Sequence, residues 1–91
     1  MDVWTIVPCP VEGFQLENLA GEIILLHPAR NLIVYINRSG ALIWTLCDGK
    51  RSVAEIVDLL GLAYPDSKEE IAVQVPAIIQ EFLQHGALTT A

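Results

Sequence analysis

Positive charge is scarce in this chain. Arg30, Arg38, Lys50, Arg51 and Lys68 are its basic residues against eleven acidic ones, a formal net charge of −6. Such a surface repels phosphate backbones and anionic membranes, so neither nucleic acid nor a membrane is an expected partner. Long apolar runs are missing too: none approaches the roughly 18 residues that span a bilayer. The opening MDVWTIVPCP lacks the basic start and cleavage site of a signal peptide, and a cytoplasmic location is the default expectation. Cysteine is limited to Cys9 and Cys47, far apart and without C-x-x-C spacing, which favours two reduced thiols over a disulfide framework. His27, His85 and the pair Cys47-Asp48 form no set at metal-ligand spacing. No Cys/His or Ser/His pairing has the context of a nucleophilic site, and no Gly-rich phosphate loop occurs. Glu69-Glu70 fall in a helix's first turn, where they offset its dipole. No catalytic residue, metal or cofactor is therefore expected, and the chain does not read as an enzyme.

What is present is apolar material: 53% of the 91 residues are hydrophobic, without repeats or low-complexity segments. That composition suits one folded domain of modest size, in which every large apolar residue counts. Residues 1–12, with Pro8 and Pro10 flanking Cys9, cannot supply a regular central strand. They are expected to form an extended arm gripping the domain through Val3, Trp4, Ile6 and Val7. From Gly13, Phe14, Leu16 and Leu19 alternate with Gln15 and Glu17, the mark of a half-buried strand, and a turn follows at Leu19-Ala20-Gly21. EIILLH, residues 22–27, reads as a second strand. HPARN then turns the chain into a third, Asn31 to Ile36. Short strands joined by tight turns imply an antiparallel meander whose first and third strands are edges.

Three helices follow. Asn37 or Ser39 caps the first, which carries Leu42, Ile43, Trp44 and Leu46 and stops at Asp48-Gly49. Ser52 opens the second as a capping box with Glu55, ahead of Val53, Ile56, Val57, Leu59 and Leu60 at helical spacing, and GLAYPD ends it. The third starts near Ser67, with Glu70 three residues on, and carries Ile71, Val75, Ile78, Ile79, Phe82 and Leu83 in one stripe. Pro76 inside it predicts a kink or a restart. His85-Gly86 closes it, and ALTT is either a frayed tail or a short extended end. The expected class is α+β: a three-stranded antiparallel sheet followed by three helices, like a winged helix-turn-helix.

The run NLIVYI is unusual in being apolar on both faces of a strand. By period-2 alternation Leu32, Val34 and Ile36 share one face and Ile33 and Tyr35 the other; the sequence does not say which set meets the domain's own helices. The string VYIN…GALIWTLCDGKRSVAEIVDLL…FLQHGAL, and within it Ile36-Asn37, Ile43-Trp44, Asp48-Gly49, Ser52 to Ile56, Phe82-Leu83 and Gly86, resembles the PqqD-like family. The resemblance covers roughly residues 12–88, and residues 13–88 are taken as the domain. It departs from the family at Pro76 and at Ile36, where Leu is usual. It implies a non-catalytic recognition domain of ribosomally made, post-translationally modified peptide pathways. Such a domain binds the leader segment of a precursor peptide as an added strand and delivers it to a modifying enzyme or leader peptidase. Carried onto this sequence, the peptide site is Asn31, Leu32, Ile33, Val34 and Tyr35 on the third strand with Val75, Ile78, Ile79 and Phe82 on the third helix. The lasso-peptide setting is favoured over a chaperone role in pyrroloquinoline quinone synthesis.

An exposed sheet edge offers unpaired N–H and C=O groups to a guest while reading little of its sequence. Ordering six guest residues costs on the order of 6 to 12 kcal/mol, and five ladder hydrogen bonds return roughly 2.5 to 7.5 kcal/mol. Two or three apolar anchors at roughly 1.5 to 3 kcal/mol each are needed besides. Two other readings compete with guest binding. In DNA binding, a helix would enter the major groove, against which Glu55, Asp58, Glu69, Glu70 and Glu81 argue. In a homodimer, the open edge would pair with its own copy.

Overall fold

Proline removes a ladder donor and is tolerated only at sheet edges, which is where the arm lies. In the computed structural model, which describes residues 2–91, β1 (Pro8–Pro10) pairs antiparallel with β5 (Leu88–Thr90), Cys9 opposite Thr89. The C-terminus is thus the extended alternative, not a frayed tail. The arm's backbone is stitched to the helical half of the molecule: Gly49 N–H donates to Pro8 O and Val53 N–H to Ile6 O, both at 2.9 Å. Val11 N–H donates to Ala87 O at 3.0 Å.

The meander is a separate sheet of β2 (Gln15–Leu19), β3 (Glu22–His27) and β4 (Leu32–Ile36), in that spatial order. Between β2 and β3 the backbone is left-handed at both Ala20 (φ 52°) and Gly21 (φ 84°). This is the signature of the two-residue primed turn, whose twist matches that of the strands. Between β3 and β4 a 3-10 turn over Pro28–Arg30 ends on Asn31 at φ 52°, ψ 43°. Asn31 therefore closes the turn instead of opening the strand as expected, because asparagine tolerates the left-handed conformation that the turn demands. Inside the turn, Arg30 N–H donates to His27 Nδ1 at 3.2 Å.

The helices are α1 (Arg38–Leu46), α2 (Val53–Ala63) and α3 (Lys68–Gln84). Of the two cap candidates for α1, Asn37 is used: its Oδ1 accepts from Gly40 N–H at 2.7 Å. The capping box on α2 is complete, with Ser52 N–H donating to Glu55 Oε1 at 2.9 Å and Glu55 N–H to Ser52 Oγ at 3.2 Å. Hydrogen bonds from Ser52, its backbone N–H foremost, hold the Glu55 carboxyl below its usual range. Helix α2 extends through Gly61 to Ala63, further than expected, and Tyr64 N–H closes it on Leu60 O at 2.8 Å. Ser67 gives α3 no side-chain cap, because a 3-10 turn over Pro65–Ser67 feeds straight into the helix. Helix α3 also does not restart at Pro76 but runs through it. Burial of Val75 and Ile79 on either side offsets the lost donor. At its end Gly86 (φ 74°) donates to Leu83 O at 3.2 Å and Ala87 N–H to Phe82 O at 2.9 Å, a Schellman closure.

One core joins sheet to helices. Leu25 of β3 packs with Ile43, Trp44, Val53, Ile56, Leu60, Val75, Ile79 and Phe82, and Val34 and Ile36 of β4 border the cluster. Edge-to-face contacts tie the layers: Phe14 to His27 at 4.9 Å between centroids, Phe14 to Trp44 at 6.2 Å and Trp44 to Phe82 at 5.7 Å. Cys47 is in the core, and burial first, then the Asp48 carboxylate, push its thiol up to about 12.

Two predictions follow from these conformations. Replacing Ala20, which has a Cβ in left-handed backbone, by glycine should stabilise the fold by about 0.5 to 1 kcal/mol. Urea unfolding should show it as a higher midpoint at unchanged slope. With its thiol raised in the fold above the ordinary value of 9.0, Cys47 leaves stability untouched below pH 9.0 and erodes it as pH climbs toward 12, where the unfolded chain ionises first. Iodoacetamide at pH 8 should accordingly spare Cys47 in the native protein and label both cysteines in urea, read by mass spectrometry.

Candidate functional site

Each outer strand of the meander has one side without a strand neighbour, and the two edges differ in chemistry. The β2 edge, QLENL, carries Glu17 and Asn18, polar residues of the kind that discourage pairing with foreign strands. The β4 edge, LIVYI, carries none. Among the described residues β4 pairs with β3 alone, through Leu25 opposite Val34 and Leu26 opposite Ile33. The arm does not cover it, since β1 belongs to the other sheet.

The register settles which face of β4 points where. Leu32, Val34 and Ile36 are half-buried, and the last two lie against the helical core. Ile33 and Tyr35 point away from the helices and are 51% and 71% exposed. Opposite them on β3 lie Leu26, half-buried, and Ile24, 4% exposed, so the free apolar surface on this face is that of Ile33 and Tyr35 at the open edge.

On α3 the expected site residues divide. Val75, Ile79 and Phe82 are 2%, 0% and 3% exposed and belong to the core. Their main contacts are with the core and hold α3 in place, and Val75 also lines the cavity described below. Ile78 is half-buried on the flank of the helix, in line with Ile71 and Gln74 at i, i+3, i+7 spacing. Asn31 is exposed in the turn before β4. Asn31, Ile33 and Tyr35 are thus the exposed members of the set, and Ile78 is partly so.

A feature not anticipated from sequence adjoins the C-terminal end of β4. There the first turn of α1, the end of α2 and the first half of α3 enclose an open cavity of about 610 Å³. Its apolar part is formed by Ile43, Leu60, Ile71 and Val75, and Arg38 and Glu70 lie at its rim. Gly40 of α1 is buried against the end of β4 and α3: a Cβ there would stand 3.3 Å from the capping Asn37 Oδ1 and in ordinary contact with Ile36 Cβ and Phe82 Cζ.

The family described as Coenzyme PQQ synthesis protein D (PqqD) matches residues 22–88. The chain belongs to the PqqD family. The match runs from the start of β3 to the first residue of β5, so the open β4 edge, α3 and the cavity all lie within the PqqD-matching region. Among curated proteins, the PqqA binding protein of Rhodopseudomonas palustris strain HaA2 is 48% identical over 46 residues, and those of strains BisB5 and TIE-1 are 44% identical over 46 residues. Each match covers 50% of this chain and 45% of the relative, so the chain spans about half the length of the curated relatives it matches. No solved structure matches.

The two faces of β4 should respond differently to charge. Val34→Asp puts a carboxylate against the core and should cost about 2 to 3 kcal/mol. Ile33→Asp leaves its carboxylate in water and should shift stability by less than about 1 kcal/mol. Thermal unfolding of both variants checks this.

Proposed function

We propose that this protein binds the leader segment of a ribosomally made precursor peptide as a fourth strand on β4 and presents it to a separate modifying enzyme or leader peptidase. The observation that carries the reading is the open, uncharged edge of β4. An extended peptide laid there gains ladder hydrogen bonds along β4. Its alternate side chains fall beside Ile33 and Tyr35 on one face and toward the Ile71, Gln74 and Ile78 flank of α3 on the other. Apolar anchors at those places supply what the bonds alone do not. Leu32 contributes backbone and Val34 backbone and core packing, while Val75, Ile79 and Phe82 anchor α3 in the core.

Family membership supports a peptide-binding role without catalysis, and the relatives' name, PqqA binding protein, adds weight to a PqqA-type precursor. That is the pyrroloquinoline quinone setting. A lasso-peptide precursor, favoured on sequence alone, is the other pathway assignment, and either peptide would use the same edge.

Titration of the ¹⁵N-labelled protein with the PqqA peptide of Rhodopseudomonas palustris and, separately, with a lasso precursor leader distinguishes them. A binding peptide should move the β4 amides and slow their hydrogen exchange. Ile33→Asp and Ile78→Asp should each weaken binding at least tenfold, with Asp58→Ala neutral. Unmoved β4 amides with both peptides, or equal affinities for the three variants, would contradict the site.

A further inference from the structure

The outer side of α2 carries apolar side chains that the fold leaves in solvent: Leu62 is 77% exposed and Leu59, one turn earlier, 42%. Next to Leu62 lies a second open cavity of about 410 Å³, lined by Val57, Asp58, Gly61, Leu62 and Lys68. Its floor is apolar, since Val57 packs against the core and the aliphatic stem of Lys68 lies over buried Gly61, where a Cβ would stand 3.4 Å from Lys68 Cγ. A projecting leucine and an apolar recess on one patch are the two halves of a knob-and-hole contact. No residue of β2, β3 or β4 lines the recess, so such a contact makes no use of the β4 edge.

The charges of the patch say what would cover it. Asp58 and Lys68 both line the recess and both are exposed. Among the described residues neither forms an ion pair; the pair present is Arg51 with Asp48. Lys68 is moreover the first residue of α3, where the helix dipole disfavours a cation. On a chain of net charge −6 the patch is thus locally neutral, with one free charge of each sign. A uniformly basic or uniformly acidic partner would match one of these charges and repel the other. A second copy related by a twofold axis matches both, because residue i then meets residue j and j meets i. Each Asp58 faces the other copy's Lys68, and each Leu62 faces the other copy's recess.

We infer that two copies of this chain associate through the α2 patch, with Leu62 as the reciprocal knob and Asp58 and Lys68 as reciprocal ion pairs, leaving a β4 edge open on each copy. The patch is small, which places the pair among weak interfaces that bury less than about 1,200 Å². The test is sedimentation equilibrium of the full chain over a hundredfold range of concentration, in salt that screens the net charge. A monomer–dimer equilibrium should appear, and Leu62→Asp, Asp58→Lys and Lys68→Asp should each weaken it at least tenfold. The double variant Asp58→Lys with Lys68→Asp keeps the net charge and exchanges the signs, and should restore the wild-type constant to within threefold. An equimolar mixture of the two single charge variants should likewise recover dimer, which a substitution that merely damages the fold cannot do. A chain that stays monomeric throughout, a double variant as weak as the singles, or a dimer that Ile33→Asp dissolves and Leu62→Asp spares would overturn the inference. The last result would place the contact on the β4 edge instead.

Discussion

One layer of helices can cover only one face of a sheet, and this chain has one such layer. Leu25, Val34 and Ile36 present a single apolar face to α1, α2 and α3, and the edge-to-face series Phe14, Trp44 and Phe82 locks strand layer and helix layer together. The segment that might have covered the other face is committed elsewhere: the arm bonds to Gly49, Val53 and Ala87 and forms its own small sheet with β5. With an envelope of 36 × 31 × 18 Å, the fold has room for two layers and no third. Ile33 and Tyr35 stay in solvent because no element is left to meet them.

The asymmetry of the two sheet edges has the same origin. At β2 the exposed border includes Glu17, and a carboxylate there would lose hydration against an incoming strand. β4 has no charged side chain to desolvate. Its outer side has no strand neighbour among the described residues.

Much of this architecture was legible in the residues. Period-2 alternation in β4, the Ser52 to Glu55 box, and Gly86 as helix stop each bind one local conformation to one residue type, and each appears where expected; in β2 the expected alternation fails, since Leu16 and Leu19 are exposed and Glu17 is half-buried. What was not legible depended on three-dimensional neighbours. Ser67 looked like a cap, but Pro65 draws the preceding residues into a 3-10 turn and deprives it of the extended geometry. Pro76 looked like a break, but the burial of its neighbours carries the helix through. The α3 stripe did not tell buried from half-buried positions, because Val75 and Ile78 are both apolar and only their angular position on the helix separates them. The cavity could not be read at all: Arg38, Leu60 and Ile71 are distant in sequence and meet only when three helices converge.

The bare sheet face has a consequence for any complex this molecule forms along β4. A strand seated there would lengthen the sheet by one, and every second side chain of it would join Ile33 and Tyr35 on the same face. That plane becomes a mosaic of host and cargo, absent from either alone. An enzyme that grips the mosaic would distinguish a laden carrier from an empty one without touching the cleavage or modification point.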